Sequence, residues 1–284
     1  MVKVCMIGLG RTGKIVAKHM IGRKDVQLVM AVCRPGSDKI GQDVGTLLGI
    51  SETGIKVMGS NLLNEGLRIF KPDVAIDFTN PEACITNTTV LARNKVNAVI
   101  ATTGFTDIQF QKLRSIAVQN KVGMVIAPNI TLGVNVLQFL CKIAAQLLDD
   151  YDVEIIEEHF KEKKDVPSGT AIKIAESISE GRGIEDSVKI LTENDVASLR
   201  GANIIPIHSL RAGGIVGVHK VMFASDEDSV EIMHQSFTRS AFAKGAIKAA
   251  KFIVGRKGVY DMADVLNLEE VLERFASKQR DSHA

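Results

Sequence analysis

Residues 2–13 read VKVCMIGLGRTG. An apolar, β-branched run from Val2 to Ile7 leads into Gly8-Leu9-Gly10-Arg11-Thr12-Gly13, and helical spacing of apolar residues continues to Met20. A strand, a GxGxxG turn and a helix in that order make the fingerprint of a dinucleotide site: the glycines permit a tight turn and close backbone approach, and the helix N-terminus faces a pyrophosphate. The motif alone is weak evidence. It gains weight because it follows the first strand, and because the next apolar run, Gln27 to Val32, arrives at the spacing of a βαβ unit.

The end of that second strand bears on the cofactor. An Asp or Glu there would hydrogen-bond the adenosine ribose and select NAD, but the chain has Cys33 followed by Arg34. Arg34, with Arg11 as a helper, suits the 2′-phosphate of NADP, since a guanidinium holds phosphate through paired hydrogen bonds. NADPH is the favoured cofactor and NADH the alternative. Three further buried runs, Val74 to Phe78, Ala98 to Ala101 and Gly123 to Ile126, alternate with helical segments near Glu82 to Asn94 and Asp107 to Asn120. That alternation predicts a doubly wound, Rossmann-type parallel sheet, whose ligands gather at the carboxyl ends of the strands. Polar turns stand at those ends: Asp77-Phe78-Thr79-Asn80-Pro81, Thr102-Thr103-Gly104-Phe105 and Ala127-Pro128-Asn129. Each is an ordinary turn composition by itself; together they predict a cofactor wall.

From about residue 130 the pattern changes. An apolar helix is expected from Gly133 to Leu148, then a strand from Asp152 to Phe160 in which Val153, Ile155, Glu157 and His159 share one face. The stretch EIIEEHFKEKKDVPSGT, residues 154–170, combines a histidine at a strand end, the cationic residues Lys161, Lys163 and Lys164, and Ser168 as the cap of a helix over Gly169 to about Ser179. A lone histidine is ordinarily structural; the lysines and the Ser168-Gly169-Thr170 turn reverse that preference here. Later strands are expected at Ile204 to Leu210, Val216 to Ala224 and Ser229 to Gln235, with Arg211 to Gly214 as a turn, and a helix over Arg239 to Val254 packing back on the nucleotide domain. The last residues, Ser277 to Ala284, read as frayed. The expected division is a dinucleotide-binding domain of residues 1–129 and 239–284 and an α+β substrate and oligomerisation domain, with an open mixed sheet, of residues 130–238.

Composition narrows the classes. Lys plus Arg, 35, nearly balance Asp plus Glu, 33, with no long single-sign block, which argues against a nucleic-acid stripe or a polybasic membrane anchor. Cys5, Cys33, Cys84 and Cys141 form no CxxC pair, and His19, His208, His219, His234 and His283 show no metal-ligand spacing. No metal is assigned, reduced thiols are expected, and no apolar run reaches the roughly 18 residues of a membrane span. A cytoplasmic protein is expected.

The segments GLGRTGK at 8–14, DFTNPEA at 77–83, ATTGF at 101–105, APN at 127–129, GVNVL at 133–137, EIIEEHFKEKKDVPSGTA at 154–171 and LRAGGIVGVHKVMFA at 210–224 together resemble dihydrodipicolinate reductase, also called 4-hydroxy-tetrahydrodipicolinate reductase. The likeness spans nearly the whole chain in the expected order. It implies a nicotinamide hydride delivered to a cyclic conjugated imine with two carboxylates, in lysine and diaminopimelate biosynthesis, by a homo-oligomer, dimer or tetramer, joined through the second-domain sheet. His159 aligns with the general acid and Lys163 with a lysine beside the substrate, roles that suit a group titrating near neutrality and a fixed positive charge. Thr103, Phe160, Ser168, Gly169 and Thr170 align with the substrate site. Gly8, Gly10, Arg11, Thr12, Gly13, Arg34, Phe78, Ala101, Thr102, Thr103, Ala127, Pro128, Asn129 and Arg239 align with the cofactor site.

The chain departs from the family pattern at several points. Phe160 stands where a second histidine helps hold a substrate carboxylate, a contact worth about 1–3 kcal/mol if its partner is left unpaired. Glu162, Val218, Ile130 and Cys33 also differ from the usual residues, and 191–203, TENDVASLRGANI, lacks the expected TGxR. Three readings follow: a divergent reductase of the dicarboxylate, with Lys161 or Lys164 replacing the missing contact; a paralogous imine reductase or amine dehydrogenase with another amino-acid-derived substrate; and an inactive NADP-binding sensor. The intact PSGTA and TTGF segments favour the first, and retention of His159 and Lys163 disfavours the last.

Overall fold

The computed structural model describes residues 1–184 and 204–281, the side chains of 276 and 278–281 excepted. The 191–203 departure therefore lies outside the described residues. In chain order the elements are β1 (Val2–Ile7), α1 (Arg11–Met20), β2 (Val26–Cys33), α2 (Val44–Leu48), β3 (Val57–Gly59), α3 (Leu63–Phe70), β4 (Val74–Asp77), α4 (Pro81–Arg93), β5 (Asn97–Ile100), α5 (Asp107–Asn120), β6 (Gly123–Ile126), α6 (Leu132–Leu147), β7 (Asp152–His159), α7 (Gly169–Arg182), β8 (Ile207–Arg211), β9 (Gly217–Ala224), β10 (Ser229–Ser236), α8 (Ser240–Ile253), β11 (Gly258–Tyr260), α9 (Met262–Leu266) and α10 (Leu268–Asp281). They fall into two compact units, Met1–Leu132 with Ser240–Ala284, and Gly133–Arg239.

The first unit holds a parallel sheet of order β11-β6-β5-β4-β1-β2-β3. Both faces are covered, which is why its central strands read as continuous apolar runs. Val4, Met6, Ile76 and Val125 meet α1 and α8 on one face, while Cys5, Ile7, Ile100 and Ile126 meet α3, α4 and α5 on the other. The expected packing of the 240–253 helix onto this sheet is observed, and the fit is close: a Cβ at Gly245 would lie 1.7 Å from the Ile130 carbonyl oxygen.

The second unit is a four-stranded sheet of order β10-β9-β7-β8, with β7 and β8 parallel and the other pairs antiparallel. One face packs against α6 and α7 through Leu137, Cys141, Ile155, Ile174, Ile178 and Phe223. On β7 the period-two reading holds: Val153, Ile155, Glu157 and His159 are all buried. The opposite face leaves Leu210 at 52% and Met233 at 60% exposure.

Several expected boundaries move. α7 runs to Arg182 rather than Ser179 and stops where Gly183 takes a left-handed conformation, φ +66°. β8 begins at Ile207, not Ile204, and includes Arg211, which the sequence reading placed in a turn. The tail expected to fray at Ser277 continues α10 as far as Asp281; Glu269 and Glu270 lie in its first turn and Arg274 pairs with Glu270 one turn on, both favourable to an exposed helix. The segment from Arg34 to Asp73, for which no elements were expected, carries α2, β3 and α3.

Candidate active site

In the first unit the sheet ladder continues one residue past four strand ends. Gly8 N–H donates to Val32 O (2.8 Å), Phe78 N–H to Ile7 O (2.9 Å), Ala101 N–H to Asp77 O (3.0 Å) and Ala127 N–H to Ile100 O (2.8 Å). These bonds align the expected turns side by side. Gly8 has φ +92°, and a Cβ there would lie 2.5 Å from Phe78 O; a Cβ at Gly13 would lie 1.8 Å from Gly8 O. Both positions therefore require glycine. A Cβ at Gly10 meets no atom within 4 Å, so its need for glycine lies in what approaches the turn from outside. A cavity of about 510 Å³ opens beside it, lined by Gly10, Arg11, Thr12 and Gly13, by Phe78, Thr79, Ala101, Thr102 and Thr103, and by Pro128, Ile130 and Phe242. Arg34 stands exposed directly after β2, outside that lining, and Cys33 before it is buried. Gly8, Ala127 and Asn129 are likewise outside the cavity lining; Asn129 Oδ1 accepts from Thr131 N–H at 3.0 Å.

The wall is braced by Asp77, which is 1% exposed. One carboxylate oxygen accepts from Thr79 N–H (2.9 Å), the Thr79 hydroxyl and the Thr102 hydroxyl (3.0 Å); the other accepts from Asn87 Nδ2 (3.0 Å). Burial pushes this carboxyl up, against the hydrogen bonds from Thr79, Asn87 and Thr102. Its four donors tie the turns after β4 and β5 to each other and to α4.

In the second unit His159 ends β7 at 8% exposure, with Nδ1 hydrogen-bonded to Glu157. Glu157 is fully buried; it also accepts from Arg211 Nη2 at 2.7 Å and from Ser168 N–H at 3.3 Å. Burial acts to raise this carboxyl, but the hydrogen bonds from His159 and Arg211 outweigh it and hold the group at about 2. His219, on β9, meets the His159 ring edge-on at a 5.2 Å centroid distance, and its Nε2 lies 3.4 Å from Ser168 Oγ. Burial, then the nearby His159, pushes His219 down to about 3. Ser168 caps α7 by accepting from Ala171 N–H at 3.2 Å, leaving Gly169 exposed at the helix N-terminus and Thr170 partly so. Lys163 Nζ donates to both oxygens of Asp165, at 2.8 and 2.7 Å. Phe160 carries the Arg239 guanidinium 5.8 Å above its ring, a cation–π distance.

Glu157, His159 and His219 place three ligand-capable atoms within 4.8 Å. The Glu157 oxygens, however, are already taken by His159, Ser168 and the Arg211 cation, an arrangement that suits proton chemistry better than a dication. Neither Glu157 nor Arg211 was assigned a role from the sequence, and His219 was noted only for its lack of metal-ligand spacing. Period-two spacing was the signal for Glu157; the contacts of Arg211 and His219 join positions more than fifty residues apart.

The model of dihydrodipicolinate reductase, N-terminus, matches residues 2–130, and that of dihydrodipicolinate reductase, C-terminus, matches residues 133–266. A 4-hydroxy-tetrahydrodipicolinate reductase of Methanocaldococcus jannaschii is 41% identical over 95% of this chain and 99% of its own length. One from Ralstonia pickettii is 40% identical over 94% of this chain and all of its own. Among solved structures, a dipicolinate-bound dihydrodipicolinate reductase from a Paenisporosarcina species superimposes with a TM-score of 0.73 at 30% identity, covering 92% of this chain and 97% of that one. With both halves matched and such relatives aligned end to end, the chain belongs to the dihydrodipicolinate reductase family and is an NAD(P)H-dependent oxidoreductase.

Proposed function

We propose that the protein uses NADPH to reduce the conjugated cyclic imine formed from 4-hydroxy-tetrahydrodipicolinate, giving tetrahydrodipicolinate, with His159 as general acid and Lys163 assisting. The observation that carries this reading is the second-unit cluster: a histidine at a strand end, fixed through Nδ1, followed by a loop that carries Lys163 paired with Asp165 and by an exposed helix N-terminus. The first-unit cavity supports the cofactor half. Its turn is closed to any side chain at Gly8 and Gly13 and open at Gly10, as a pyrophosphate cradle requires.

Bound nicotinamide supplies the hydride. Gly8 to Gly13 and the N-terminus of α1 receive the pyrophosphate, and Arg34, with Arg11, holds the 2′-phosphate; the absence of an acidic residue at Cys33 and Arg34 favours NADPH over NADH. Phe78, Ala101, Thr102, Thr103, Ala127, Pro128 and Asn129 flank the nicotinamide. The N-terminus of α7 at Ser168, Gly169 and Thr170 receives a carboxylate, and Lys163 exchanges Asp165 for substrate. That exchange costs little, since Asp165 is 57% exposed on its side chain and exposed ion pairs contribute about 0–1 kcal/mol. Arg239, held over Phe160, supplies positive charge where the family's second histidine is missing. His159 donates its proton as the hydride arrives. We also assign the exposed face of the second-unit sheet to a homo-oligomer contact, and the buried, unpaired thiols to a cytoplasmic setting. Among the described residues no helix is long and apolar enough to cross a membrane.

Phe160 also favours a second reading, an imine with a single carboxylate. Purified protein, NADPH and dihydrodipicolinate generated in solution, followed by loss of nicotinamide absorbance and then repeated with other imines, decide between them. Turnover of the dicarboxylate is expected, and turnover confined to other imines overturns the assignment. His159→Gln is expected to lower turnover by about 10²–10⁴-fold while NADPH still binds. Full activity in that variant removes His159 as the acid.

A further inference from the structure

Arg211 ends β8 with its guanidinium on two separate parts of the site. Nη2 donates to Glu157 at 2.7 Å and to the carbonyl oxygen of Asp165 at 2.6 Å, and Nη1 donates to Leu210 O at 2.8 Å. Asp165 is the residue that holds Lys163. One side chain thus ties the carboxylate behind His159 to the loop that carries Lys163.

We propose that Glu157 and Arg211 are a positioning pair for proton delivery: Glu157 fixes His159 with its Nδ1 proton inward and Nε2 as the donating atom, and Arg211 locks Glu157 to the 161–165 loop. This rests on the reading of His159 as the acid. An ionised carboxylate only accepts, so the imidazole nitrogen facing it must carry a proton. When Nε2–H breaks, its proton goes to the substrate as the hydride arrives, and the ring is left as the Nδ1–H tautomer that Glu157 already holds. Water returns the proton to Nε2 in the next cycle. The other side of the ring is kept clear: a Cβ at Gly217 on β9 would lie 3.2 Å from Nε2. Among the described residues no other neighbour replaces Glu157 as the acceptor at Nδ1. β9 presents His219, neutral in its buried site; β10 presents His234, paired across the sheet from His219; β8 presents Ser209 and Arg211; the loop presents Lys163 and Asp165; and α7 presents Ser168.

The test is a double-mutant cycle on the full chain. Glu157→Gln is expected to lower kcat at least about tenfold, toward the ~10⁴-fold bound known for a tautomer-setting carboxylate, with KM and NADPH affinity changed less than about threefold. The limb on which kcat falls as pH rises should move about one unit toward lower pH, because the positive ring loses its anionic partner. In a His159→Gln background the same change should add nothing. Multiplicative effects, or an unmoved limb at undiminished kcat, overturn the pair. If Glu157→Gln does not fold, Arg211→Lys carries the test: a smaller loss of kcat is expected, absent in the His159→Gln background, with no shift of the limb toward lower pH because Glu157 keeps its charge. Nitrogen-15 NMR of the unmutated protein, with His159 assigned by loss of its signals in His159→Gln, decides independently of turnover. A neutral ring protonated on Nδ1 is expected, and one protonated on Nε2 overturns the proposal. Turnover that survives His159→Gln alongside an Nδ1-protonated ring would instead sink the acid assignment, and with it the pair's part in proton delivery.

Discussion

Single residues differ in how far their roles could be read. Arg34 has a proposed role that the sequence could suggest, because the position after the second strand of a βαβ unit has a defined neighbour in the cofactor; the structure leaves its side chain exposed there with no acidic residue at Cys33 or Arg34. Arg34→Ala should weaken NADPH by about 10–100-fold, the loss of a paired, charge-assisted contact, and leave NADH nearly unchanged. Fluorescence titration with both cofactors checks this, and equal losses would sink the phosphate argument. Arg211 was not legible in the same way. Its dipeptide neighbours, Ala212 and Gly213, made it look like a turn residue, and only the parallel register of His159 with Arg211 brings the guanidinium over Glu157. Lys163 lies between the two cases: its loop was legible, but its partner Asp165 was not singled out.

At the scale of elements, length decided what the sequence disclosed. β7 and α6 repeat their apolar spacing several times and β1 is one sustained apolar run, whereas β3 and β11 have three residues apiece, too few for a pattern to show. β9 also gives a measurable signature. His219, buried at 4% exposure, is pushed down to about 3 from an ordinary 6.5, so below pH 6.5 the unfolded chain gains a proton that the folded one refuses. Stability is therefore lost as pH falls from about 6.5 toward 3, with a slope approaching about 1.4 kcal/mol per pH unit. Glu157, held at about 2 against an ordinary 4.5, adds its own loss only below pH 4.5. Urea unfolding between pH 5 and 6.5 separates the histidines from Glu157; His234, also pushed down by burial, adds to the slope there. His219→Gln is expected to flatten the slope there, and an unchanged slope removes His219 as its source.

For the molecule as a whole, the two-unit division was legible because a nucleotide-binding pattern gives way to strands and then returns as a helix; residues 35–73 kept their elements hidden in short segments. Leu210 and Met233 on the exposed sheet face give the proposed homo-oligomer a direct test: substituting both with Lys should shift sedimentation to a lighter species, and an unchanged mass would remove this face as the contact. The first unit is also discontinuous, and α8 supplies Ala243, Ala246, Ile247, Ala249, Ala250 and Ile253 to a core whose strands come from the first 126 residues. During synthesis those strands leave the ribosome long before their covering helix exists. At about 5–20 residues per second, the 107 residues between Leu132 and Ser240 take on the order of 5–20 s to make, and for that interval α1 alone covers a sheet face that α1 and α8 share in the folded unit. A chain truncated within the second unit would leave the α8-facing residues of that core without their helix, and is expected to aggregate more readily than the full chain, as light scattering of the two would show.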